Sequence, residues 1–96
     1  MIHLDPLHKE CVVAILKPYL QYDIRAYGSR VKGTHRTLSD LDLCIMNPMP
    51  SGEYTALIEA FEESDLPFFV SVAEWGRLAQ HFKDSIKDDL LSIDKW

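Results

Sequence analysis

Two aspartates separated by one residue, Asp40-Leu41-Asp42, follow a glycine turn, Tyr27-Gly28-Ser29-Arg30-Val31-Lys32-Gly33. On an extended strand, residues two apart project from one face at a spacing of about 6.5–7 Å, so the two carboxylates point the same way. Such a pair suits a divalent cation that prefers oxygen ligands, magnesium above all. Without the cation the like charges oppose each other. A lone Asp-x-Asp is more often a solvated strand end, and it is the turn before it that raises its chemical content. Gly28 closes an extended run and precedes Ser29, whose hydroxyl and N–H can hold a phosphate where a short helix starts. Arg30 and Lys32 add positive charge there, and Gly33 permits a close approach or a positive φ. A lone Gly-Ser-Arg is more often a plain turn, but a phosphate turn and a metal-binding pair on adjacent strands are worth much more together.

The elements that must position these residues are legible from pattern. Asp5-Pro6 opens a first helix, with Asp at the N-cap and Pro at the first helical position. Leu7, Cys11, Ala14 and Ile15 share a face, and Pro18 ends the helix near Lys17. Asp23 to Tyr27 is a short strand delivered into Gly28. Leu41, Leu43 and Ile45 alternate with Asp42 and Cys44, which predicts a second strand over 41–45. Beyond the Pro- and Gly-rich stretch 47–52 a second long helix buries Tyr54, Leu57, Ile58 and Phe61. Leu66-Pro67 breaks it, and Phe68 to Ala73 reads as a third strand. Leu78, Phe82, Ile86 and Leu90 recur every four residues, which predicts a last helix from near Trp75 or Arg77 to Leu91. The order α-β-β-α-β-α makes an α+β (mixed α/β) domain over residues 1–96, a small mixed sheet covered by helices. One strand-helix-strand crossover is too few for a doubly wound fold.

Composition narrows the function. A chain of 96 residues buries about 60–65% of its extended surface, one modest core. The net charge of −5 argues against a general nucleic-acid surface, though a nucleotide needs only a local phosphate cradle and a metal. Cys11 and Cys44 form no paired motif and read as buried thiols of a reducing compartment. No apolar run approaches the ~18 residues of a membrane span, and the N-terminus has no hydrophobic signal core. A cytoplasmic protein is expected.

Gly28-Ser29, ten intervening residues, then Asp40-Leu41-Asp42 resembles the signature of the nucleotidyltransferase superfamily that includes DNA polymerase beta. The longer string Tyr27-Gly28-Ser29-Arg30, Gly33, Ser39-Asp40-Leu41-Asp42-Leu43 resembles its minimal, single-domain prokaryotic members, over nearly the whole chain. Leu66-Pro67-Phe68 before a strand and then Trp75 fits their latter half. The resemblance implies transfer of a nucleoside monophosphate from a triphosphate, with ATP the expected donor, and release of pyrophosphate. It implies Gly28 and Ser29 on the triphosphate and Asp40 and Asp42 on Mg2+. Arg30 would support the negative charge that develops during transfer. It also implies an all-helical partner protein encoded beside the transferase, often in a toxin–antitoxin system in which the transferase modifies the toxin.

One position departs from the pattern. The family carries a third carboxylate on the strand after Leu-Pro-Phe, where this chain has Val70-Ser71-Val72. Serine supplies one neutral oxygen, which neither balances metal charge nor acts as a base near neutral pH. Glu74, three residues on, would replace it only through a bulge or strand end, because it alternates to the opposite face. Two functions therefore stand: a transferase weakened at Ser71, or a catalytically inactive regulatory subunit that neutralises a helical partner by contact.

The remaining residues have plainer readings. His35 and Arg36 are solvated loop residues unless they touch a nucleotide or partner. His3, His8 and His81 lack zinc spacing and read as surface or interface residues. Cys44 is expected to alternate away from Asp42 into the core, and Cys11 lies on the apolar stripe of its helix. Tyr27 packs beside the glycine turn or stacks on a base. Trp75 caps the core at a strand end, and Trp96 needs a fold-back or a partner to be buried. The cluster Asp84, Lys87, Asp88 and Asp89 is a solvated helix face. An edge strand makes a homodimer reasonable.

Overall fold

A computed structural model describes residues 1–96. Helix α1 spans Pro6–Leu16, and the Asp5 carboxylate accepts the Leu7 N–H at 2.9 Å, the cap expected from Asp-Pro. Strand β1 (Ile24–Tyr27) leads into a one-turn helix α2 (Ser29–Lys32), and β2 covers Leu41–Ile45. Helix α3 (Ser51–Glu62) and strand β3 (Val70–Glu74) follow.

The sheet order is β3-β2-β1-β4, where β4 is Leu91–Ser92. β1 runs antiparallel to β2 and β4, and β2 runs parallel to β3 across the α3 crossover. One face carries Ile24, Ala26, Leu41, Leu43, Ile45, Val70 and Val72, packed with Val12 and Leu16 of α1 and Leu57 and Phe61 of α3. The other face carries a smaller cluster in which Tyr27 and Cys44 meet Ile86. Cys44 is therefore in a core, as expected, but on the Asp42 face and not away from it. Residues two apart on a strand share a side, and a helix over that side does the burying.

The C-terminal third differs from the single long helix that the apolar spacing suggests. Trp75–Arg77 is a 3-10 turn, α4 is confined to Gln80–Ile86, and β4 then pairs Ala26 with Leu91 and Arg25 with Ser92. Ala79 is extended (ψ 147°), so the helix starts afresh after it. Leu78, Phe82, Ile86 and Leu90 still converge on one cluster, which is why their spacing mimicked a continuous stripe. The outer edge of β1 offers unpaired backbone groups, and their demand for partners favours a strand over further helix. Trp96 folds back without any partner: its Nε1 donates to Leu91 O at 3.2 Å, and Lys9 Nζ donates to its backbone oxygen at 3.1 Å. At the opposite edge, Val72 O accepts the Tyr54 hydroxyl at 2.7 Å, so a backbone acceptor of edge strand β3 is already engaged.

Candidate active site

Strand register assembles the site. Asp42 pairs with Tyr27 on one side and with Ser71 on the other, so Tyr27, Asp42 and Ser71 form one row across three strands. β1 ends in this row, and the next residue, Gly28, turns with φ 81° and ψ −156°. That backbone is rarely open to other residues, and a Cβ on Gly28 would lie 2.5 Å from Asp42 Oδ2. The turn and the carboxylate are packed against each other. Gly28 O accepts Val31 N–H and Lys32 N–H, both at 3.1 Å, which starts α2 directly from the turn. Gly33 (φ 79°) stops it: Gly33 N–H and Thr34 N–H both donate to Ser29 O, at 2.9 and 3.1 Å. Ser29 is thus half-buried at the head of a helical turn only four residues long.

Asp42 is half-buried and Asp40 exposed, one position before β2 begins. Burial, and then the neighbouring Asp40 charge, push the Asp42 carboxyl above its ordinary value. Tyr27 is pushed up to about 12 by burial, with Asp42 and Cys44 adding to it, so it remains a neutral phenol beside the carboxylate. The two aspartates fit a hard cation: their charges crowd without one, and their oxygens are the donors magnesium takes. No group of three or more His, Cys, Asp or Glu gathers anywhere in the chain. The protein therefore offers two carboxylates, and a magnesium ion held there would need its other ligands from elsewhere, such as phosphate oxygens and water.

Gly28, Ser29 and Asp42 come together as the sequence predicts, and Asp40 adjoins them. Arg30 does not join them as a free cation. Its side chain is buried, and its Nε, Nη1 and Nη2 donate to Ser39 O, His3 O and Thr37 O at 3.0, 3.1 and 3.1 Å. The guanidinium also lies 4.4 Å from the centre of the Phe68 ring. Buried, and with three of its five N–H donors held by carbonyls, the guanidinium is not presented at the surface to a transferring phosphate, so the charge-supporting role is set aside. Lys32 pairs with Asp89 at 3.4 Å, through an exposed contact. Glu74 does not replace the missing carboxylate: it pairs in register with Ile45, faces the other side, and its carboxylate meets Arg77 at 3.4 Å. Three strand residues put it about 10 Å from position 71.

Other expectations need smaller adjustments. His35 is half-buried, not a freely solvated loop residue; its Nδ1 is buried without a partner, and its ring lies 5.5 Å from that of His3. Trp75 packs against the smaller cluster, with Lys83 Nζ 5.3 Å from its ring centre. The chain's two grooves, one between α3 and the start of β3 and one around Met46 to Met49, hold none of the candidate residues. The candidate residues lie at an open sheet end. Sequence reasoning missed the loop role of Arg30 and the aromatic floor under it, Phe68.

No helix is long and apolar enough to cross a membrane. Residues 8–93 match the family model described as nucleotidyltransferase domain. The chain is also 41% identical to a Haemophilus influenzae protein named "Probable protein adenylyltransferase MntA", over 78% of this chain and 72% of that protein. The spacing from Gly28-Ser29 to Asp40-Leu41-Asp42, the register that brings them to one sheet end and these two matches agree: the chain belongs to the nucleotidyltransferase domain family.

Proposed function

We propose that this protein is a magnesium-dependent nucleotidyltransferase that moves AMP from ATP to a hydroxyl of a partner protein, at a rate lowered by Ser71. The observation that carries this reading is the contact of Gly28 with Asp42 at the end of the Tyr27–Asp42–Ser71 row, which joins a phosphate turn to a metal ligand. The name of the Haemophilus relative, a protein adenylyltransferase, supports AMP as the group and protein as the acceptor. The acceptor fitting a minimal transferase is an all-helical protein encoded beside it, as in a toxin–antitoxin pair.

In this mechanism the Gly28–Ser29 turn holds the triphosphate through backbone N–H groups and the Ser29 hydroxyl. Asp40 and Asp42 are the residues that would hold Mg2+, whose chemistry there would be to offset the charge of the phosphates. The acceptor oxygen bonds to the α-phosphorus, the bond to the bridging oxygen breaks, and pyrophosphate departs with its electron pair. The acceptor proton passes to solvent, because neither Ser71 nor the neutral Tyr27 phenol accepts it near neutral pH. Half-burial of Asp42 between Gly28 and its strand neighbours keeps that ligand fixed during transfer.

Incubating the protein with ATP, Mg2+ and the neighbouring helical protein tests this. Mass spectrometry should find the acceptor heavier by one AMP, with pyrophosphate released, and Asp42→Asn should abolish both. Ser71, in register with Asp42 where a carboxylate would complete the site, favours a second reading. A protein that binds Mg·ATP and its partner but releases no pyrophosphate is the inactive regulatory subunit.

A further inference from the structure

The connection from α2 to β2 runs from Gly33 to Asp40 without regular structure, yet Asp40 must be held still if it is to ligate a metal. It lies outside the strand ladder, and its own side chain is exposed. Its two flanking peptide groups are nonetheless fixed. On the C-terminal side, Leu41 N–H donates to Phe69 O at 3.0 Å. On the N-terminal side, the carbonyl of Ser39, which forms the peptide bond to Asp40, accepts Arg30 Nε at 3.0 Å. The same guanidinium takes Thr37 O and His3 O. The turn between is closed by Arg36 N–H to Ser39 Oγ at 2.7 Å and Ser39 N–H to Arg36 O at 3.1 Å. Arg30 is in turn bonded covalently to Ser29, and its own carbonyl accepts His3 N–H at 2.7 Å.

Arg30 is thus one covalent bond from the phosphate turn and one hydrogen bond from the peptide that orients Asp40. The planar fork reaches the three carbonyls from three separate nitrogens in fixed directions; an ammonium group has three donors too, but all on one nitrogen at the end of a flexible stem. Phe68 beneath the guanidinium plane holds the fork in place. We propose that Arg30 is the positioning residue of this site: it touches neither metal nor nucleotide, and it sets the place of Asp40 relative to the Gly28–Ser29 turn. This rests on the transferase reading above, in which Asp40 is a magnesium ligand. Residues that orient a metal ligand from behind carry about 10–100-fold of metal affinity. Loss of the fork should therefore appear first in the magnesium requirement.

The test measures the Mg2+ concentration that half-saturates binding of a non-hydrolysable ATP analogue, alongside melting temperature, on the full chain. Arg30→Lys is expected to raise that concentration roughly tenfold, with nucleotide binding recovered at high magnesium. Leu57→Ala, at a fully buried α3 residue that makes none of the Arg30 or Asp40 contacts named above, is the stability control: it should lower melting while leaving the magnesium midpoint unchanged. Combined with Asp40→Asn, Arg30→Lys should add no further shift, because its effect passes through Asp40. If Arg30→Lys does not fold, Phe68→Leu, which takes the ring from under the guanidinium and keeps an apolar side chain in the core, carries the test with a smaller shift in the same direction. A folded Arg30→Lys with the parent's magnesium midpoint, or a full additive shift with Asp40→Asn, overturns the proposal. A parent protein with no magnesium-dependent nucleotide binding overturns instead the transferase reading on which it rests.

Discussion

Gly28 lies so close to Asp42 that a single added carbon would stand 2.5 Å from the carboxylate Oδ2. The glycine turn and the Asp42 carboxylate are therefore packed together in the protein alone. The space between them is closed to a side chain at position 28, so the sheet end, only four strands wide, keeps the two side by side.

Gly28→Ala is expected to fail twice over. The backbone at φ 81° and ψ −156° is essentially confined to glycine and costs a residue with a Cβ about 1–3 kcal/mol, and the methyl also drives the Asp42 carboxylate from its place. Melting should fall by an amount matching the strain, while magnesium-dependent nucleotide binding falls much further. A variant that loses stability but keeps parental nucleotide affinity would show that the contact is only structural.

Much of this site was legible because its parts follow local rules. Gly28 needs a positive φ, Asp5-Pro6 caps a helix, and Leu41, Leu43 and Ile45 alternate, so their elements stand within a residue or two of expectation. Arg30 was misjudged because its partners are the carbonyls of His3, Thr37 and Ser39, and carbonyls carry no residue identity. Strand β4 was hidden for a similar reason: two residues pair with β1 because that edge is free, not because Leu91-Ser92 reads as a strand. Cys44 shows that alternation gives sides but not what covers them; α4 buries it on the Asp42 face. Local chemistry is written in single residues, and long-range backbone pairing is not.

Asp42 gives a pH signature. Its carboxyl is raised in the folded protein by burial and then by Asp40, so the folded state binds that proton more tightly than the unfolded chain does. The stabilising contribution is full below the unfolded carboxyl value and is lost as pH rises through the higher folded one. Metal-free Asp42→Asn should therefore be more stable than the parent at neutral pH and lose this part of the pH dependence. Magnesium with a nucleotide should stabilise the parent and not the variant. Melting curves from acid to neutral pH check it; an Asp42→Asn protein less stable at neutral pH would mean the carboxylate is satisfied in the fold without a metal.

The two thiols should separate cleanly. Cys44 is fully buried, and burial first of all pushes it up to about 11, whereas Cys11 is half-exposed on α1. The thiolate is the reactive form, so an alkylating probe at mildly alkaline pH should label one site quickly and the other only on unfolding. Cys11→Ser should remove the fast phase. Rapid labelling of Cys44 in the folded protein would show that α4 opens from the sheet.

Ser71 is the direct register partner of Asp42 on the parallel strand, so a carboxylate at position 71 would face the same sheet end as Asp42. Ser71→Asp is therefore expected to raise magnesium affinity in the presence of nucleotide and to supply a proton acceptor where the parent has none. General-base assistance is worth about 10²–10⁴ in rate, so even an imperfectly placed carboxylate should raise AMP transfer by at least about tenfold. The same change should lower stability without metal, because Asp42 already resists ionisation beside Asp40 and a third charge deepens that repulsion. Magnesium and nucleotide should recover the loss, since binding to the folded state alone shifts the folding equilibrium toward it. Transfer assays paired with melting curves, with and without magnesium, separate the two effects. If the parent is already fast and Ser71→Asp slows it, the serine is not a lost catalytic position. The proton would then leave by a route that tolerates a neutral residue at 71, and the inactive-subunit reading would fall, because slowing by an added carboxylate requires an active parent.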